Sequence, residues 1–355
     1  MYKIIEIDIG PLTSINSLHK YIAPRLAKLR AAYRKGESPK VLWDASQLTY
    51  GQVSMAGLTA FISIAHNISS FIGQPQKIIF DWKPDLLGFL RDVSFVEISK
   101  NLNVFEFDSE RIGGILTEKT NPNTKIIYYA DVIRESLDPK EFVIHKNHLK
   151  TKIRPNFNLR CSEIFKGLDI KLENTVSKTA VELIVNSLVH GKSIVFVGLQ
   201  RTSKRVTVAI SDSGIGFPKS LQNNFPELKN KDLLDHTQGL LLGCIIQTNE
   251  HGIRLALNDI LNLESILYKD ILSNDGWLVV SSYDTEIRWQ KSNWLQVLST
   301  VDNNNIFESV IHPNELIGEP IEYKIQLEDK KTGYWQKFDN YIRGSRFVFE
   351  IPIHN

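Results

Sequence analysis

Four short strand-like runs, Lys3 to Ile9, Val41 to Ala45, Lys77 to Trp82 and Asn103 to Phe107, are separated by stretches of helix length. Leu18 to Ala32 carries apolar residues at helical spacing, with Pro24 at a break or a start. Ser54 to Ile72 is a strongly apolar helix, and Pro84 sits where a first-turn proline opens a third helix running to about Ser99. Strands alternating with such segments need crossover connections, and crossovers produce a largely parallel sheet. This alternation constrains the fold more than any bulk property does.

From about Gly113 to Leu159 the periodicity weakens, with turn signals at Asn121-Pro122-Asn123 and Asp138-Pro139 and one candidate strand, Lys125 to Tyr129. The domain junction is expected here. The reading is an α/β domain over residues 1–115, a connecting region over 116–160 and a second α/β domain over 161–355. In the second domain a long helix, Leu172 to His190, precedes two strands, Ile194 to Leu199 and Val206 to Ile210, close enough to be an antiparallel pair. A further helix is expected over Ile253 to Ile266. Strands are expected at Trp277 to Tyr283, Thr285 to Trp289, Ile321 to Leu327 and Arg346 to Ile353, and the whole suggests an α/β sandwich with a mixed sheet. Residues 292–320 show no clear period.

The 355 residues include 42 Lys and Arg against 40 Asp and Glu, a formal charge of +2 without a clustered basic patch, so no nucleic-acid partner is expected. Neither a signal peptide nor a run of about 18 apolar residues is apparent, so no membrane span is expected. Cys161 and Cys244, 83 residues apart, make neither a disulfide framework nor a zinc site and suit a reducing cytoplasm.

Chemistry concentrates in the long helix. Glu182, Asn186 and His190 follow one another at i, i+4 and i+8 and project from one side, while Ala180, Val181, Leu183, Ile184, Val185, Leu188 and Val189 surround them with apolar surface. A helix apolar nearly all round is buried, and a buried carboxylate needs a partner, so the stripe should line a cavity or hold a ligand. The alternative is a solvated stripe on an amphipathic helix. Twenty-two residues beyond His190, at the end of an apolar strand, comes Asp212-Ser213-Gly214-Ile215-Gly216, whose glycines allow a tight turn and a close approach to a ligand.

The two features together, a Glu-x-x-x-Asn-x-x-x-His stripe and an Asp-x-Gly-x-Gly loop, resemble the first two nucleotide motifs of the GHKL (histidine kinase/gyrase B-like) ATPase superfamily. Glu182 to Gly191 (ELIVNSLVHG) is most similar to anti-sigma-factor serine kinases. The resemblance spans roughly Leu172 to Ile353 and implies a Bergerat-type fold that binds ATP and Mg²⁺. It implies Asn186 as the Mg²⁺ ligand, Asp212 as acceptor of the adenine amino group, Gly214 and Gly216 lying against the base, and His190 near the phosphates or ribose. Glu182 would be the general base that activates water or a substrate hydroxyl. The third motif departs from the pattern, with the single Gly252 of Glu250-His251-Gly252-Ile253-Arg254-Leu255 as candidate lid glycine and Arg254 as possible added charge. Gly344-Ser345-Arg346-Phe347 stands at the place of the last motif, with Ser345 supplying a hydroxyl near adenine.

The first domain has a distant similarity to STAS domains, carried by Val41-Leu42-Trp43-Asp44 and by Ser54-Met55-Ala56-Gly57-Leu58 opening a helix. The phosphate-accepting serine of that family is replaced by Met55, and Ser54 is read as a helix N-cap. The resemblances imply an ATP-binding regulatory protein, an ATPase or a serine/threonine kinase acting on a protein partner. The alternative is a non-catalytic nucleotide switch or scaffold in which ATP controls homodimerisation or partner binding. His66, inside an apolar helix, is read as a core or interface residue.

Overall fold

A computed structural model describes residues 4–81, 83–107, 121–132, 139–168, 170–224, 275–290 and 335–353. The first strand, β1 (Ile4–Asp8), leads into α1 (Ile15–Tyr21) and α2 (Ala23–Arg34). The single helix expected there is two, because the chain re-caps at Ile22 with Pro24 in the first turn of α2. β2 (Lys40–Ala45), α3 (Met55–Ile72) and β3 (Gln76–Phe80) follow. The next expected helix is divided at Ser94, which takes a left-handed φ of 61°, into α4 (Pro84–Asp92) and α5 (Phe95–Asn101). β4 is the two-residue strand Phe105–Glu106. These strands form a four-stranded sheet, β1-β2-β3-β4, parallel at every pairing.

The second sheet has the order β5-β6-β7-β9-β8, from β5 (Thr124–Tyr129), β6 (Val195–Arg201), β7 (Arg205–Asp212), β8 (Trp277–Trp289) and β9 (Trp335–Pro352). It was expected to be mixed, yet every described pairing is antiparallel. The two strands expected at 277–283 and 285–289 are one, with a register shift at Tyr283. The stretch read as a connecting region supplies β5, at the candidate strand Lys125 to Tyr129, and the 26-residue helix α6 (Pro139–Ile164), which packs beside α7 (Ile170–Asn186) on one face of this sheet. Its weak periodicity has a physical cause: much of α6 is solvent-facing, and Pro155 lies within it. After β7, α8 (Gly216–Asn224) begins directly at the second glycine of the loop. The calls at Ile253–Ile266, 292–320 and Ile321–Leu327, together with Cys244, lie outside the described residues.

One core joins the parallel sheet, α1 to α5 and the other face of the antiparallel sheet, including Phe196, Ala209, Val279, Ile342 and Val348. A second core fills the space between that sheet and α6 and α7, including Val197, Val208, Val280 and Phe349. The order through the molecule is therefore α6 and α7, antiparallel sheet, α1 to α5, parallel sheet. α3 lies in the middle and is apolar almost all round for that reason. By length and hydropathy it could cross a membrane, but most of it is buried between the two sheets. Its approach to β6 is close enough that a Cβ on Gly198 would stand 2.3 Å from Thr59 Oγ1 and 2.5 Å from Met55 Sδ. Ser54 caps α3 by accepting from the Gly57 amide at 3.0 Å, as expected. His66 on the same helix packs its ring 5.6 Å from that of Phe196, between the layers.

Candidate functional site

The stripe residues sit at the C-terminal end of α7 and in the single π-helical turn, Ser187–Gly191, that follows. A π turn inserts an extra residue into the helical ladder and often marks a functional position. Here it carries the chain from Asn186 to Gly191 while leaving the Asn186 Oδ1 buried without a hydrogen-bond partner. Lys192, in the left-handed region at φ 55°, ends the turn and sends the chain into β6.

Gly191 abuts the Asp212 loop. A Cβ on Gly191 would lie 3.1 Å from Asp212 Oδ1, and one on Gly214 would lie 1.8 Å from the Gly191 carbonyl, which accepts from the Ile215 amide at 3.0 Å. Glycine at 214 is thus required by contact. At Gly216 a positive φ of 69° and the Tyr283 ring, 2.6 Å from a built Cβ, impose the same choice. The Tyr283 hydroxyl donates to the Ile215 carbonyl at 2.9 Å and clamps the loop from β8.

Asp212 is fully buried. Its Oδ1 accepts from the backbone amides of Gly214 at 2.9 Å and Ser345 at 3.3 Å, whereas Oδ2 has no partner in hydrogen-bonding geometry. Burial pushes the carboxyl up to about 6, against the pull of the Gly214 amide, the buried Arg346, the Ser187 hydroxyl and the Ser345 amide. Arg346, expected only as part of the last motif, is itself fully buried, with its guanidinium donating to the Ile342 and Arg343 carbonyls. Ser345 reaches Asp212 through its backbone amide rather than through its hydroxyl.

Glu182 is not a free carboxylate. Lys150 Nζ on α6 stands 2.8 Å from its Oε1, with both side chains about one quarter exposed. Eight residues along each helix, the Phe142 ring meets that of His190 at 5.5 Å. Burial, followed by the positive charges of Lys146 and Lys192, pulls the His190 imidazole down to about 4, so it is neutral near pH 7.

The structure therefore brings Asn186, His190, Asp212, Gly214 and Ser345 together around the end of α7, with Glu182 one turn back from Asn186. Gly216 serves as the turn into α8. Gly252 and Arg254 lie outside the described residues. Two buried oxygens in this group, Asp212 Oδ2 and Asn186 Oδ1, lack a partner in hydrogen-bonding geometry. Asp212 Oδ2 is an unfilled acceptor suited to an amino group, and Asn186 Oδ1 is an unfilled oxygen of the kind Mg²⁺ takes alongside phosphates and water. Among the described residues no three His, Cys, Asp or Glu side chains gather as a metal cluster, and a phosphate-borne Mg²⁺ needs none.

Sequence reading missed Lys146, Lys150 and Phe142, which lie at i+4 spacing in the segment taken as a connection; that spacing was the available signal. It also missed Ser63 and Asn67 on α3, which contact Ser213 from the other side of the sheet, and no local pattern marks them. No family model, curated protein or solved structure matches the chain.

Proposed function

We propose that this chain is an adenine-nucleotide-dependent regulatory protein of the GHKL type that binds Mg–ATP at the end of α7 and uses the bound state to control a protein partner. The observation that carries the reading is Asp212. A carboxylate buried at a cost of several kcal/mol, with Oδ1 held by two backbone amides, the Ser187 hydroxyl near by and Oδ2 outside hydrogen-bonding geometry, offers the acceptor that recognition of an exocyclic amino group needs. Asn186 Oδ1 would hold a Mg²⁺ ion, whose chemistry there would be neutralisation of phosphate charge. Gly191 and Gly214 keep the two acceptors at the same end of α7.

The Lys150–Glu182 ion pair favours a binding-driven switch as the resting behaviour, since a carboxylate held by a lysine is a poor proton acceptor. Turnover, as an ATPase or a serine/threonine kinase, is the second reading and needs Glu182 freed beside the transferring phosphate. The test is calorimetric titration with a non-hydrolysable ATP analogue and Mg²⁺, with GTP as the control for the amino group. Saturable binding of the ATP analogue that is lost in both Asp212→Asn and Asn186→Ala supports the site. Failure of the folded wild type to bind overturns both readings.

A further inference from the structure

α6 and α7 run antiparallel, and two contacts fix their register. Phe142 meets His190 and Lys150 meets Glu182, so residue numbers across the seam have a constant sum. The same register sets Lys146 opposite Asn186, the residue with the orphaned buried oxygen. Both stripes repeat every four residues, so the register places Lys146 between these two contacts, level with Asn186. Lys192 adds a third cation at the end of the π turn, and its charge and that of Lys146 both act on the His190 ring.

We infer that Lys146 and Lys150 form the phosphate-facing wall of this seam, and that Lys150 is a latch, held by Glu182 until the di- or triphosphate of a nucleotide takes it. The inference rests on the nucleotide reading and extends it to residues outside either motif. A lysine ammonium is a mobile point charge on a four-carbon stem, well suited to exchanging one anion for another. The pair is about one quarter exposed, so water lowers the cost of exchange. A triphosphate presents more negative charge than one carboxylate and therefore wins Lys150. Its departure leaves Glu182 unpaired beside the phosphates, which links occupancy to the state of the carboxylate. Lys150 acts on chemistry through Glu182 and is in that respect a positioning residue.

The experiment uses the full chain and three probes: adenosine, inorganic tripolyphosphate and the non-hydrolysable ATP analogue with Mg²⁺. Lys146→Gln and Lys150→Gln are expected to weaken tripolyphosphate and the analogue by roughly tenfold each, the scale of one lost contact to a charged group, while adenosine binds as to wild type. Lys150→Arg should retain most of the affinity. Glu182→Gln, which frees the latch, should tighten tripolyphosphate several-fold, and this gain should vanish in the Glu182→Gln, Lys150→Gln double variant. An equal gain with or without Lys150 would mean simple charge repulsion and would overturn the latch. Wild-type affinity for tripolyphosphate in both lysine variants, with the analogue still bound by wild type, overturns the inference and leaves the nucleotide reading standing. Failure of wild type to bind adenosine and the analogue removes the nucleotide reading itself.

Discussion

Ser63 on α3 and Ser213 in the Asp212 loop are 150 positions apart and share two hydrogen bonds: their hydroxyls meet at 2.9 Å, and the Ser213 hydroxyl donates to the Ser63 carbonyl at 2.9 Å. Asn67, one turn along, donates to the Ser213 carbonyl at 3.4 Å. The loop that carries the candidate adenine acceptor is therefore tied on one side to the π turn after α7 and on the other to α3, the central helix between the two sheets. Any movement that opens the loop has to strain α3, which gives the N-terminal half a direct physical hold on the site.

Ser63→Ala removes the hydroxyl partner but keeps the Ser63 carbonyl as an acceptor for Ser213. The expected cost is about 1 kcal/mol, the usual net value of one buried hydrogen bond. Denaturant unfolding would read that loss. Amide exchange should speed up in the peptide spanning Asp212 to Gly216 more than in α6, and uniform acceleration would argue against local coupling.

Asp212→Asn offers a pH signature. The wild-type carboxyl stands at about 6 against an ordinary 3.8, so the fold disfavours its ionised form. Below about pH 4 both folded and unfolded states carry the proton and no penalty arises; above about pH 6 the full penalty applies, on the order of 3 kcal/mol. His190 works in the opposite sense, losing stability as pH falls from 6.5 towards about 4, but that contribution is common to both proteins and cancels in their difference. The thermal stability of Asp212→Asn relative to wild type should therefore rise between pH 4 and pH 7. A stabilising change that removes nucleotide binding would mark Asp212 as kept for function.

Gly214→Ala is expected to be severe, because its Cβ would stand 1.8 Å from a backbone oxygen that cannot rotate away. A loss of about 2–3 kcal/mol is expected from forced overpacking. Gly51→Ala, with nothing within 4 Å of the built Cβ, is the matched control and should be close to neutral. Equal stabilities of the two variants in urea would contradict the tight loop geometry.

Cys161 is buried on α6, and burial together with the nearby Glu173 charge pushes its thiol well above the ordinary range. In a Cys244→Ser background, Cys161 should resist a thiol reagent in native buffer and react once denaturant opens the second core. Rapid labelling under native conditions would contradict the packing of α6 against the sheet.

Sequence pattern alone locates most of the elements that matter. The crossover alternation of the first hundred residues becomes a parallel sheet, and the apolar surround of Glu182, Asn186 and His190 becomes a buried helix end. α6 was less legible, because a half-exposed helix with an internal proline has little periodicity to display. The antiparallel character of every described pairing in the second sheet was also hidden, since strand pairing depends on partners far apart in the chain.

Local periodicity determined which residues share a helix side or close a turn, because those relations span about one helical repeat or a few bonds. Tertiary packing decided that Lys150 holds Glu182, that Asp212 is sealed with one empty acceptor oxygen, and that Ser63 reaches Ser213. Each is a contact between segments separated by many residues. Their energies exist only once α6 has settled its register on α7 and α3 has pressed against Gly198.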